Sequence, residues 1–299
     1  MFEGSSVALI TPFKEDGSID ASKLCELVEY QIAHKTSAIV PCGTTGESAT
    51  LNHKEHGQVI EIVVKQARKR ISVLAGTGSN STQEAIELTQ HAKEVGADGA
   101  LVIVPYYNKP TQQGMLAHFI AVAKEVALPI VIYNIPSRTG CNLLPVTLRK
   151  ILDQRENIVG IKESSGSMDQ ISEIAMNLNG KKDFTILSGD DSLTLPIFSV
   201  GGKGVISVLA NILPQEAAAL CSAALNGNFQ LAQQLHWKML PLIKALFIET
   251  NPGPIKTAME LLGICSSRMR LPMAAMEPEN RKRLYLELKN YGLNLKINL

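Results

Sequence analysis

The 299-residue sequence carries no surplus of either charge: 29 Lys and Arg stand against 28 Asp and Glu, a formal net charge of +1. Without a basic stripe there is nothing to track a phosphate backbone, so nucleic acid is not an expected partner. The five cysteines, Cys25, Cys42, Cys141, Cys221 and Cys265, are odd in number, scattered and free of CxxC spacing. That excludes a regular disulfide framework or zinc knuckle and fits reduced thiols. No apolar run is long enough to span a bilayer, and Met1 to Phe13 lack a basic segment followed by a long apolar stretch. A cytoplasmic protein without membrane contact is expected. There is no P-loop, no GxGxxG between a strand and a helix and no HExxH, and Gly76-Thr77-Gly78 is too short for a nucleotide fingerprint. Neither a nucleotide nor a metal is expected as cofactor.

What is present is a rhythm. At 45% hydrophobic and 19% charged residues, the chain has ample material for a core. Short apolar, β-branched runs recur at Val7 to Ile10, Ala38 to Pro41, Ile71 to Ala75, Gly99 to Val104, Pro129 to Tyr133, Ile158 to Ile161, Phe184 to Leu187 and Gly204 to Ser207. They read as buried strands. Helix-patterned segments lie between them, among them Ala21 to His34, Lys54 to Lys69, Thr82 to Val95, Gln113 to Val126 and Val146 to Leu152. Strand and helix alternating in this way predict right-handed βαβ units and a parallel sheet, and eight units predict a (β/α)8 TIM barrel over residues 1–213, with an open doubly wound sheet as the alternative. Residues 214–299 lack strand-like runs and predict a helical C-terminal extension packed on the barrel, broken into pieces by Pro241, Pro252, Pro254 and Pro272.

In such a barrel the chemistry sits where strands run into the following loops. Lys162 closes the run Ile158 to Ile161 and so starts inside the barrel mouth, where a free amine among apolar neighbours can attack a carbonyl. An isolated lysine at a strand end would more often be ion-paired, but Tyr133 ends the neighbouring run, and a phenol there can shuttle protons at carbinolamine and enamine steps. Gly43-Thr44-Thr45-Gly46 offers two hydroxyls and accessible backbone N–H groups suited to a small carboxylate, although a tight turn accounts for it about as well. Arg138, just beyond Tyr133, could take a second carboxylate bidentately; on its own it would read as a solvated loop arginine.

Together, Gly43 to Glu47, Pro105 to Asn108, Tyr133-Asn134, Ser137 to Gly140, Gly160 to Glu163, Ser188 to Asp191 and Gly204 to Ser207 closely resemble the 4-hydroxy-tetrahydrodipicolinate synthase family, and the similarity runs nearly the whole length of the chain. The lysine and tyrosine are shared with a wider superfamily that includes N-acetylneuraminate lyase; Thr44, Tyr107 and Arg138 narrow the choice. The alternatives are such a sister aldolase or a non-catalytic small-molecule-binding barrel, which should have lost one of Lys162, Tyr133 or Thr44. The resemblance implies that Lys162 holds pyruvate as a Schiff base and that the enamine attacks aspartate semialdehyde, with no other cofactor. It implies Tyr133 as acid and base, and Thr44 and Tyr107 as a proton relay, with Tyr107 supplied by a neighbouring subunit. Thr45 would hold the pyruvate carboxylate and Arg138 that of the semialdehyde, while the Gly189 and Ile206 backbones line the pocket. A homotetramer built as a dimer of tight dimers is the implied assembly.

The family's lysine-sensitive members bind L-lysine at the tight-dimer interface through a set that this sequence reproduces as Ser48, Ala49, His53, His56, Asn80, Glu84 and Tyr106. Tyr106 and Tyr107 would face opposite ways if the strand continued through them. His53 and His56 are three apart on one helix face. Competing local readings exist: Asn52 with Glu55, and Ser81 with Glu84, have the spacing of capping boxes.

Overall fold

The computed structural model describes residues 1–178 and 183–298. Eight parallel strands close into a barrel in sequence order: β1 (Gly4–Ala8), β2 (Ala38–Val40), β3 (Ser72–Gly76), β4 (Gly99–Ile103), β5 (Ile130–Asn134), β6 (Ile158–Glu163), β7 (Thr185–Ser188) and β8 (Gly204–Ser207). Closure, with β1 pairing both β2 and β8, settles the choice against an open sheet. The helices of the first four units are α1 (Ala21–Ala33), α2 (His53–Ala67), α3 (Thr82–Glu94) and α4 (Gln112–Glu125). A single turn, α5 (Pro136–Thr139), precedes α6 (Pro145–Leu152), and α7 (Met168–Asn177) and α8 (Thr194–Ser199) follow β6 and β7. The C-terminal part is helical as expected: α9 (Pro214–Leu225), α10 (Phe229–Ala245), α11 (Gly253–Leu261) and α12 (Pro278–Tyr291).

Strand alternation sorts the side chains. Ala8, Ala38, Val40, Leu74, Leu101, Val131, Tyr133, Leu187 and Ile206 fill the barrel interior. The intervening residues, such as Ile130, Ile132 and Ile161, face outward against Phe119, Val122, Leu148 and Ile174 of the surrounding helices. On the β1 side, Val7, Leu24, Ile39 and Val63 share one core with Leu220, Met239, Leu242, Ile255 and Leu284 of the C-terminal helices. That shared core, and not a linker, attaches the extension.

Two expectations need correction. β1 begins three residues earlier than the apolar run, because Ser5 and Ser6 are buried strand residues whose polarity hides them from a hydrophobic pattern. Pro241 does not break its helix: α10 runs through it, since the buried face formed by Met239, Leu242 and Ile243 outweighs one lost backbone bond. Likewise Pro254 stands in the first turn of α11, where a missing N–H costs nothing.

Candidate active site

The strand register carries the reactive groups to one level at the C-terminal mouth of the barrel. Ile103 pairs with Tyr133, Tyr133 with Lys162, and Lys162 with Leu187. Because side chains alternate, Lys162 points inward with Tyr133 while its neighbours Ile161 and Glu163 point outward. Lys162 is only 6% exposed, and its Nζ lies 4.2 Å from the centre of the Tyr133 ring. Gly189 opens the space beside it. A Cβ at that position would fall 2.9 Å from Lys162 Cε and 1.8 Å from Ser164 Oγ, so no other residue fits without displacing the lysine stem. On the outer side Glu163 accepts from Asn134 Nδ2, Gln170 Nε2 and the Ser165 N–H; burial pushes its carboxyl up and these bonds act against that.

The Gly43–Ser48 turn follows β2. Its backbone closes through Gly46 N–H to Gly43 O at 3.1 Å and Glu47 N–H to Thr44 O at 3.1 Å, and Glu47 adopts φ 54°, a left-handed conformation that a side chain rarely takes. Glu47 is held there by a buried ion pair with Lys256 of α11; the two side chains are 1% and 0% exposed. Lys256 also donates to the Arg268 carbonyl at 2.8 Å, and Glu47 Oε2 accepts from the Arg270 N–H at 3.1 Å. Thr45, 3% exposed, accepts at Oγ1 from Asn251 Nδ2 at 2.9 Å. Arg138, on the α5 turn and exposed, donates to the Asn251 carbonyl at 3.2 Å.

Beside these contacts lies a cavity of about 460 Å³ whose walls include Thr44, Tyr133, Arg138, Asn251 and Pro252; Lys162, Thr45, Gly189 and Ile206 stand behind those walls and do not line it. The same cavity extends along Ser48, Ala49, His53, His56, Glu84 and Tyr106. Here the local readings and the functional one coexist. Asn52 and Glu55 do form a capping box, and the Ser81 side chain does cap the Glu84 N–H. The Glu84 carboxylate is nonetheless turned to His53 Nε2 at 2.8 Å and to the Ser79 hydroxyl. Burial holds the His56 imidazole down at about 4, with the Gly76 backbone bond opposing.

The structure gathers most of the sequence-based candidates but not all. Strand β4 ends at Ile103, so Tyr106 and Tyr107 belong to a loop and not to a continuing strand. Tyr106 turns to the cavity; Tyr107 stands 88% exposed with φ 71°. The Asn80 carbonyl accepts from Asn108 Nδ2 at 2.8 Å, which ties the β3 loop to the tyrosine loop. Ile206 is buried inside the barrel at 1% exposure. Sequence reasoning missed Asn251 and Lys256. The one available signal was a polar amide directly before Pro252-Gly253-Pro254, at the break between two helix-patterned segments. Among the described residues no group of three or more His, Cys, Asp or Glu could hold a metal ion. No helix among them is long and apolar enough to cross a membrane.

A closed barrel with a buried lysine beneath a tyrosine at its C-terminal mouth defines an enzyme of the class I, Schiff-base aldolase type. Residues 1–291 match the model of the dihydrodipicolinate synthetase family, and the chain belongs to that family. The 4-hydroxy-tetrahydrodipicolinate synthase of Aquifex aeolicus is 55% identical over 296 residues, covering 99% of this chain and 100% of the relative. A crystal structure of dihydrodipicolinate synthase from Aquifex aeolicus superposes with a TM-score of 0.97 at 55% identity, over 99% of this chain and 100% of that one. The chloride-inhibited enzyme from Acinetobacter baumannii, solved in complex with pyruvate, has a TM-score of 0.95 at 42% identity, over 98% of this chain and 100% of that one. The enzyme from Cyanidioschyzon merolae, solved with lysine bound, has a TM-score of 0.95 at 39% identity, over 98% of this chain and 99% of that one.

Proposed function

We propose that this chain catalyses the 4-hydroxy-tetrahydrodipicolinate synthase reaction, joining pyruvate to L-aspartate 4-semialdehyde. The observation that carries the reading is the buried Lys162 with Nζ 4.2 Å from the Tyr133 ring at the barrel mouth. The Lys162 amine adds to the pyruvate ketone, and the carbinolamine loses water to give an iminium. Loss of a methyl proton leaves an enamine, whose terminal carbon attacks the aldehyde. The amine of the second substrate then displaces Lys162 as the ring closes, so the enzyme needs no cofactor beyond its own lysine.

Tyr133 is the acid and base of these steps. Thr44 passes its protons outward with Tyr107, whose 88% exposure in a single chain suits a residue that completes the site of a neighbouring subunit. Thr45 and adjacent N–H groups take the pyruvate carboxylate, Arg138 takes that of the semialdehyde, and the backbones of Gly189 and Ile206 stand behind the pocket wall. The assembly is a homotetramer, a dimer of tight dimers, acting in the cytoplasm without membrane or nucleic-acid partners. L-Lysine, the end product, binds where the cavity runs along Ser48, Ala49, His53, His56, Glu84 and Tyr106, close to Asn80, with Glu84 taking its ammonium group.

Borohydride reduction in the presence of pyruvate, followed by peptide mapping, tests the central claim. A stable secondary amine on Lys162 is expected; an adduct on another lysine, or none, rejects it. For regulation, L-lysine should inhibit partially and cooperatively without competing with pyruvate, and Glu84→Thr should relieve inhibition at nearly unchanged turnover, through a coupling of about 1–3 kcal/mol. Full activity in millimolar lysine rejects the regulatory site.

A further inference from the structure

Asn251 lies outside the barrel strands, in the turn between α10 and α11, yet its polar groups reach two residues of the site. Its Nδ2 donates to Thr45 Oγ1 at 2.9 Å, across 206 positions of sequence, and its backbone carbonyl accepts from Arg138 Nη2 at 3.2 Å. Asn251 is 7% exposed and Thr45 3%, so solvent does not compete for the bond between them. The turn itself is anchored. Gly253 N–H donates to the Thr250 carbonyl at 3.0 Å, and a few residues on, Lys256 is buried against Glu47, two positions past Thr45.

The direction of the amide bond matters. A threonine hydroxyl has one hydrogen to give and lone pairs to accept with. Asn251 uses an N–H and so occupies a lone pair of Thr45, leaving the hydroxyl hydrogen free for another acceptor, while Asn251 Oδ1 is itself buried without a partner among the described residues. A carboxylate can only accept, so it needs that hydrogen. With the amide turned the other way, Asn251 Oδ1 would take the hydrogen and Thr45 would present lone pairs to an anion.

We propose that Asn251 is a positioning residue for the first substrate: through Nδ2 it fixes the Thr45 hydroxyl as a donor toward the pyruvate carboxylate. The C-terminal extension thereby contributes to the catalytic site and is more than packing. This inference rests on the reading of Lys162 and Thr45 given above.

The test combines steady-state kinetics in both substrates with the pyruvate concentration that half-saturates borohydride trapping on Lys162. Asn251→Ala should raise KM for pyruvate and the trapping half-saturation together, by about 3- to 10-fold, the worth of one net hydrogen bond. KM for the semialdehyde should stay within about 2-fold, because Arg138 is held by the backbone carbonyl, which the substitution keeps. Asn251→Asp preserves shape but turns the donor into an acceptor, and should raise both pyruvate quantities more than Asn251→Ala does. In a Thr45→Val background, where no hydroxyl remains to orient, Asn251→Ala should add nothing to the pyruvate terms. Thr45→Val alone reads the same contact from its other side should Asn251→Ala not fold.

An equal rise in both KM values, an Asn251→Ala effect that persists in Thr45→Val, or Asn251→Asp behaving better than Asn251→Ala would each overturn the inference. If pyruvate is trapped by the wild type with no change in half-saturation for Asn251→Ala, the inference fails while the Schiff-base reading stands. If the wild type itself traps no pyruvate, the Schiff-base reading is what has failed.

Discussion

Gly189 shows how much of this site is decided by a missing atom. The absent Cβ leaves room for both Lys162 Cε and Ser164 Oγ, which would otherwise lie 2.9 Å and 1.8 Å from it. Gly189→Ala is therefore expected to push the nucleophile away from Tyr133 while leaving the barrel folded. Displacement on the order of 1 Å costs about 10²-fold in turnover, and that loss in kcat, with thermal unfolding shifted little, is the expected result. An alanine variant with near wild-type kcat would show that the lysine stem can yield without harm. The sequence made Lys162 and Tyr133 legible because each closes an apolar run, one residue before its strand ends, where alternation says which side chain faces inward; Gly189, just past β7, was named only through the family resemblance. The sequence did not make Asn251 legible. Its partner is 206 positions away, and nothing local distinguishes an amide that orients a threonine from one that starts a turn.

Among the elements, α11 has the most consequential attachment. The Lys256–Glu47 pair joins it to the turn after β2, with both side chains removed from water and Lys256 Nζ also 4.3 Å from the centre of the Phe13 ring. Burial pulls the Lys256 ammonium down and the Glu47 carboxylate holds it up. A pair of this kind adds little net stability over apolar residues of the same shape, but breaking it strands a buried charge. Lys256→Met should destabilise the protein by about 3–5 kcal/mol, whereas Lys256→Met with Glu47→Leu should recover much of that loss, as read from chemical denaturation midpoints. Equal destabilisation by the single and the double variant would mean that Glu47 is needed for the turn itself. The element order was readable from periodicity, and the eight strands fall within a few residues of their apolar runs. The failures have physical causes: buried Ser5 and Ser6 in β1 carry no hydrophobic signal, and Pro241 survives in α10 because tertiary burial overrides a local breaker.

At the scale of the whole molecule, acid stability should be set in part by two imidazoles sealed into different places, His56 beside the cavity and His118 between α4 and α3. Each is held down at about 4 by burial, against an ordinary value of 6.5. His118 Nδ1 lies 3.0 Å from the Thr82 hydroxyl, and its Nε2 is buried without a partner among the described residues. In the unfolded chain these rings take up a proton as pH falls through 6.5; in the folded chain they do so only near 4. Between those values the unfolded state binds more protons, so stability rises with pH and is lost on acidification, by up to about 1.4 kcal/mol per pH unit for each ring. Above 6.5 both states are neutral and the dependence vanishes. Burial raises the Glu163 and Asp191 carboxyls, which pushes the other way in mildly acid solution, so the total slope mixes both signs. A substitution isolates one contribution. His118→Gln keeps a polar group for Thr82 but cannot titrate, and His118, unlike His56, is not among the residues that line the cavity, so measuring unfolding without lysine present reads the titration alone. The difference in unfolding free energy between pH 7.5 and 4.5 should be smaller in this variant than in the wild type by about 2–3 kcal/mol. Parallel pH profiles for the two proteins would show that His118 already protonates in the folded state at ordinary pH, despite its burial between the helices.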